Sequence, residues 1–303
     1  MRGSYAAPQK SHLGVGGNTS CVEIRSGEHL LICDGGTGII PLGEHLVKED
    51  ELSEMLVVFT HYHWDHICGL PFFQPAFSPN WKIKLFGPGE TADDIENRLS
   101  NQMKAPYFPV ETETWMADIK YLNPAINGVQ HGPINVRFHN VHHPGVTYGY
   151  RITVGDKKIV YVSDNEIDFL KSSIEHRYDE FDEEEHQLLQ RIENEERTAE
   201  LDAIRDCDIL IHDAQYTPHD YAKKRGWGIR ATLTPLILLS MPMLSRCISI
   251  IMIQLMMMKK LMRSIAIACR SLANENPLWN VTSPAKAKQS NYRGPFAALV
   301  RQD

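Results

Sequence analysis

Along the first 228 residues, apolar and polar positions fall into short runs with strand character. Met55-Leu56-Val57-Val58-Phe59 is apolar throughout and reads as a strand buried on both faces. Cys21 to Arg25 alternates like a half-exposed strand, and Leu30 to Cys33 reads as a buried one, with Ser26-Gly27 as the turn between them. Lys82 to Phe86 predicts a further strand, ended by Gly87-Pro88-Gly89, and a polar helix should start near Thr91-Ala92-Asp93-Asp94. Tyr148 to Val154 and Lys158 to Val162 predict a hairpin around Gly155-Asp156. Asp208 to His212 predicts another buried strand. The acidic run from Glu166 to Asp206 carries leucine and isoleucine at helical spacing. It is expected to be a solvated helical hairpin on the domain, with a substrate-facing lid as the alternative. Strands and helices alternate, so the fold class is α/β, in a layered sandwich.

The buried strand at Met55 to Phe59 feeds directly into His61-Tyr62-His63-Trp64-Asp65-His66, four potential metal ligands within six residues. A loop at a strand end is held by a rigid scaffold, which suits a site. His61 and His63 can face one ion, and Asp65 and His66 a second position beside it. Imidazole and carboxylate suit zinc first, then manganese or iron. A chance polar cluster is the poorer account, because buried ionisable groups cost stability unless paired or metallated. Three more pieces stand at strand ends: His142-His143-Pro144-Gly145, Asp164 after Ile159 to Ser163, and His212-Asp213 after Ile209 to Ile211. The glycine loop Asp34-Gly35-Gly36-Thr37-Gly38 is either a plain turn or a place of close ligand approach.

Charge changes this picture at about Gly228. Residues 1–228 hold 21 basic against 36 acidic side chains and all 14 histidines. Residues 229–303 hold 10 basic against 2 acidic side chains and seven of the eleven methionines. Leu236 to Met258 has the length of a membrane helix, but Pro242, Arg246 and Gln254 lie inside it. A small second domain is another reading. A shifted reading frame fits better: with permitted codons and one added base, Ile251 to Ser264 regroups to HYDPTYDDEKVDEI, an acidic helix start preceded by histidine. Residues 229–303 are therefore expected to be an out-of-frame tail that packs poorly. The six cysteines form no CxxC pair and no apolar leader is visible at Met1-Arg2-Gly3-Ser4, which fits reduced thiols and a cytoplasmic protein. The acidic balance of the first 228 residues disfavours nucleic acid and favours a small-molecule substrate, and Pro242, Arg246 and Gln254 inside Leu236 to Met258 argue against a membrane partner.

The motifs resemble those of the metallo-β-lactamase superfamily, whose HxHxDH signature matches His61, His63, Asp65 and His66. The resemblance runs from Gly16-Gly17-Asn18-Thr19-Ser20-Cys21 through the glycine loop, His143 to Arg151 and Tyr161 to Asp164. It continues to His212-Asp213-Ala214 and Gly226-Trp227-Gly228. It is nearer the branch of ribonuclease Z and phosphoribosyl cyclic phosphodiesterases than the antibiotic-degrading branch. This likeness implies a four-layer αββα sandwich over residues 1–228. It also implies two divalent metals, the first held by His61, His63 and His143 and the second by Asp65 and His66, with Asp164 bridging. A metal-bound hydroxide oriented by Asp65 would hydrolyse a small phosphodiester such as a cyclic nucleotide or cyclic ribose phosphate, with Asp213 as a supporting carboxylate. Ester, lactone or thioester hydrolysis is the alternative within enzymes, and a non-catalytic remnant the rival class. Two departures stand out. The strand that usually precedes a turn like Arg2-Gly3-Ser4 is missing, so an N-terminally truncated domain is expected. The histidines usual after Gly-Trp-Gly and near the chain's end are also missing, and the regrouped codons restore both.

Overall fold

The computed structural model describes residues 4–7, 17–49, 51–124, 128–166, 181–213 and 248–252. Strands β1 (Val22–Ser26) and β2 (His29–Cys33) form an antiparallel hairpin, and β3 (Glu54–Val58), β4 (Lys82–Phe86) and β5 (Asp118–Tyr121) extend it in parallel, giving the order β1-β2-β3-β4-β5. A second sheet is ordered β11-β10-β9-β8-β7-β6. In it β6 (Val129–His131), β7 (Ile134–Asn140), β8 (Tyr148–Val154) and β9 (Lys157–Val162) form an antiparallel meander. The last strands, β10 (Ile209–Asp213) and β11 (Ile248–Met252), join it in parallel.

Side-chain alternation explains why the sheets stack. In β3, Leu56 and Val58 enter the core between the sheets, whereas Met55 and Val57 enter the core beneath the first helix layer. In β9, Ile159 and Tyr161 face the first sheet, whereas Val160 and Val162 pack with Ile204 and Leu201 of the long helix α4 (Glu183–Ile204). Helices α1 (Ile39–Leu46) and α3 (Ala92–Asn101) cover the other side through Ile39, Leu46, Ile95 and Leu99. The result is the four-layer αββα sandwich. Continuous apolar runs are what such strands need, since both faces are covered.

Several sequence expectations need correction. Of the acidic run from Glu166 to Asp206, residues 167–180 lie outside the described residues, and the described part holds one helix. That helix starts at a capping box between Asp182 and Glu185. Helix α1 was not anticipated because Pro41 and Gly43 interrupt its pattern. Proline is tolerated there in the first turn, and Gly43 lies where an added Cβ would meet the Phe73 ring at 2.8 Å. Strands β5 to β7 were also missed, their residues being too polar to stand out.

Within the 229–303 range, Ile248–Met252 departs from the expectation of an unpacked tail, pairing with β10 from Ile209↔Ile248 to Asp213↔Met252. An Ile-Ser-Ile-Ile run has the β-branched composition a strand asks for, whatever its origin. Residues 253–303 lie outside the described residues. So does most of the stretch proposed as a membrane helix. Among the described residues no helix is long and apolar enough to cross a membrane.

Candidate metal centre

The C-terminal ends of β2, β3 and β9 meet at one edge of the sandwich. Tyr161 Oη donates to Asp34 Oδ2 (2.6 Å), Ser163 Oγ to Thr60 Oγ1 (2.8 Å) and the Tyr148 amide to the Thr60 carbonyl (2.9 Å). The ligand loop leaves β3 here and turns into the one-turn helix α2 (Trp64–Ile67), which carries Asp65 and His66. The glycine loop packs on that helix backbone to backbone: the Gly35 amide donates to the His66 carbonyl (2.7 Å) and the Gly69 amide to the Gly35 carbonyl (2.9 Å). A Cβ on Gly36 would stand 2.2 Å from the Asp65 carbonyl oxygen, and one on Gly69 2.2 Å from that of Gly36. These glycines therefore serve close approach of two chain segments, which fixes the ligand loop.

Two groups of donor atoms result, one from His61, His63, His143 and Asp164 and one from Asp65, His66 and Asp164. Within each group the atoms lie within 4.8 Å of one another. Asp164 is common to both. Its Oδ2 is 3.7 Å from His61 Nε2 and 3.8 Å from His143 Nε2, and its Oδ1 is 3.4 Å from His66 Nε2. His66 Nε2 is also 3.3 Å from Asp65 Oδ2, and His143 Nε2 is 2.9 Å from His63 Nδ1. All six residues named from the sequence as metal ligands thus lie together.

The hydrogen bonds behind the cluster assign the ring protons. Thr60 Oγ1 donates its only proton to the Asp34 carboxylate, so at 3.0 Å from His61 Nδ1 it can only accept. His66 Nδ1 sits 2.9 Å from Asp34 Oδ2, which also only accepts. Both rings therefore carry hydrogen on Nδ1 and turn Nε2 inward, where each Nε2 is buried without a hydrogen-bond partner. Orienting a ring through its outer nitrogen is how metal-binding imidazoles are held. Burial drives the His61 pKa well below its ordinary range, with neighbouring histidines adding, which keeps the imidazole in its neutral, metal-binding form. Burial would lower His66 too, but Asp164 and Asp34 outweigh it and raise it well above the ordinary value. Burial would raise Asp164, yet His66, His61 and His143 hold it below the usual carboxylate range. Carboxylates converging on buried lone pairs demand positive charge, and a divalent cation satisfies that demand. The residues present fit the metal.

Asp34 was missed as a site residue. It is wholly buried, it sits at φ 63°, a backbone conformation that Asp and Asn adopt more readily than most residues, and its carboxylate also accepts from the Thr60 amide at 2.8 Å. The signal was available: an aspartate ending an apolar strand, the same rule that marked Asp164. The structure also separates neighbours that the sequence placed side by side. His143 joins the cluster, whereas His142 turns toward α4, its Nδ1 3.0 Å from Glu196 Oε2. His212 likewise faces α4, with Nε2 3.4 Å from Glu200 Oε1. Asp213 ends β10, and its side chain lies outside what is described.

Fold and donor set define a metallo-hydrolase-type sandwich with the site at one sheet edge. Residues 43–183 match the family model described as "Beta-lactamase superfamily domain", so that stretch is similar to the domain of this superfamily. It is 26% identical over 142 residues to a protein named ribonuclease Z from Pyrococcus horikoshii, covering 39% of this chain and 46% of that one. A ribonuclease Z from Prochlorococcus marinus is 28% identical over 121 residues, covering 38% and 36%. The matched stretches span less than half the length of these curated relatives. The crystal structure of the short form of human tRNase Z (ELAC1) superposes with a TM-score of 0.50 at 15% identity, covering 82% of this chain and 88% of that one. At that identity the likeness concerns the fold.

Proposed function

We propose that this protein is a metal-dependent hydrolase that cleaves phosphodiesters, with His61, His63, His143 and Asp164 holding one divalent ion and Asp65, His66 and Asp164 a second. The observation that carries this reading is the pair of donor groups joined through one buried carboxylate. Zinc suits the imidazole-rich group best, with manganese or iron as substitutes. Two ions held there would lower the pKa of water and stabilise charge on the reacting oxygens. The chain's own contribution is positioning. Thr60 and Asp34 fix the His61 and His66 rings, Asp65 presents a carboxylate beside His66 Nε2 for orienting the attacking water, and Asp213 is kept as a supporting carboxylate. His63 and Trp64 are the solvent-exposed members of the loop, so substrate approaches from their side.

The substrate we favour is small, a cyclic nucleotide or cyclic ribose phosphate, because the acidic balance of residues 1–228 repels long polyanions. RNA is the second reading, and the name ribonuclease Z borne by both curated relatives supports it against the expectation from charge. The test has two parts. Metal analysis of the purified full chain should give close to two ions per chain, and one or fewer supports a non-catalytic remnant. Zinc- or manganese-loaded protein is then assayed on bis-p-nitrophenyl phosphate, cyclic nucleotides, a tRNA carrying a 3′ extension, a lactone and a thioester. Turnover of phosphodiesters supports the proposal, and cyclic nucleotides against RNA decides between its two forms. Turnover confined to the lactone or thioester overturns it.

A further inference from the structure

Behind His143 and Asp164, on the side away from the ligand loop, lies a buried polar link to helix α4. Asn165 Oδ1 accepts from the His142 amide (3.2 Å), and the Glu166 amide donates to the His142 carbonyl (2.5 Å). These two bonds tie the loop carrying His143 to the loop carrying Asp164, through His142 on one side and Asn165 and Glu166 on the other. Asn165 in turn donates from Nδ2 to Glu200 Oε1 (2.8 Å), and His212 Nε2 lies 3.4 Å from the same oxygen. Asn165, Glu200 and His212 are all at most 1% exposed. A carboxylate placed that deep in a long acidic helix is costly unless it has work to do, and α4 has a water-facing side where a glutamate would cost nothing.

We infer that Glu200 is a positioning residue for the metal centre, acting through Asn165 to hold the His143 and Asp164 loops in register. The inference rests on the reading that these two residues bind metal. Glu200 acts through its neighbour: its oxygen fixes the Asn165 amide, which leaves Oδ1 aimed at the loop of His143. Helix α4 thereby couples the outer layer of the sandwich to the only carboxylate shared by both donor groups.

The experiment measures zinc affinity of the metal-stripped full chain by competition with a chromophoric chelator, alongside the thermal melt of the metal-free protein. Variants are Glu200→Ala, Glu200→Met (similar length, no acceptor), Glu200→Gln (acceptor kept) and the surface control Glu195→Ala. Outer partners of metal ligands typically change affinity by about 10–100-fold when removed. Glu200→Ala and Glu200→Met should weaken zinc binding by at least ~10-fold, and Glu200→Gln and Glu195→Ala should bind like the parent. If Glu200→Ala does not fold, the Met variant carries the comparison. Parent and Met variant binding zinc equally, or the Gln variant losing as much as Met, overturns the inference while leaving the metal centre standing. A parent chain that binds no zinc overturns the metal reading and this inference with it.

Discussion

The two halves of the metal centre are built differently. The half on the first sheet is local: His61, His63, Asp65 and His66 come from one loop, fixed by a glycine loop that immediately follows the neighbouring strand. The half on the second sheet is assembled: His143 and Asp164 are separated by the β8–β9 hairpin, and their loops are tied by Asn165, the Glu166 amide and, through Asn165, the distant Glu200. The local half keeps its geometry through backbone contacts between the glycine loop and the ligand loop, backed by the Asp34 and Thr60 side chains. The assembled half depends on side-chain hydrogen bonds, each of which a single change can cut. Asp164 belongs to the second half yet serves both donor groups, so the fragile side governs the whole site.

The largest effect should therefore come from Asp164 itself. Asp164→Ala removes a donor from both groups at once, and we expect metal content to fall to one ion or fewer per chain. Hydrolysis should drop by more than ~100-fold, beyond what loss of an outer partner causes. Metal analysis and kinetics on the same preparation check this. Retention of two ions would show that Asp164 is not shared.

Asp34→Asn probes the local half. Asparagine accepts the left-handed backbone at this position, but it lacks the second carboxylate oxygen that His66 and Tyr161 both use. Loss of one buried acceptor should cost about 1–3 kcal/mol in a urea melt. Zinc affinity should fall by about 10–100-fold, because the His66 ring loses its outer anchor. Gly36→Ala attacks the same half through the backbone: its Cβ would collide with the Asp65 carbonyl, so about 1–3 kcal/mol of strain is expected. If either variant melts and binds metal as the parent does, the local half is less rigid than its contacts imply.

This contrast also explains what was legible in the sequence. The HxHxDH loop, its preceding strand and the β8–β9 hairpin are local patterns, and local patterns can be read from spacing alone. His143 and Asp164 were recoverable because they stand at strand ends. Asp34 obeys the same rule and was missed because its loop was judged by its glycines. Asn165 and Glu200 carry no local signal. Glu200 sits in an acidic helix where every glutamate looks solvated, and only the packing of α4 on β7 to β9 sets it and Glu193 apart as buried. Strands β5 to β7 were hidden for a related reason, since edge and meander strands expose polar residues to water. The pairing of Ile248–Met252 with β10 is likewise a tertiary fact that composition did not announce.

The smallest effect belongs to His139, in the assembled half but outside the donor groups. Its Nε2 is buried without a hydrogen-bond partner, and Gly149 lies against it, a Cβ there falling 2.5 Å from that nitrogen. Burial pushes its pKa down to about 4, with Arg151 and His212 adding and Glu200 opposing. A histidine lowered on folding binds its proton more readily in the unfolded chain. Its neutral form is therefore accommodated in full above the ordinary value of roughly 6.5, and stability is lost as pH falls from there toward 4. Between pH 8 and pH 5 this one group should cost about 1–2 kcal/mol. Urea melts of the metal-stripped parent and of His139→Gln at the two pH values isolate it, because every other titrating group is common to both proteins. The parent should lose that much more than the variant on acidification. Equal losses would mean that water reaches His139, and that the assembled half is looser than its hydrogen bonds suggest.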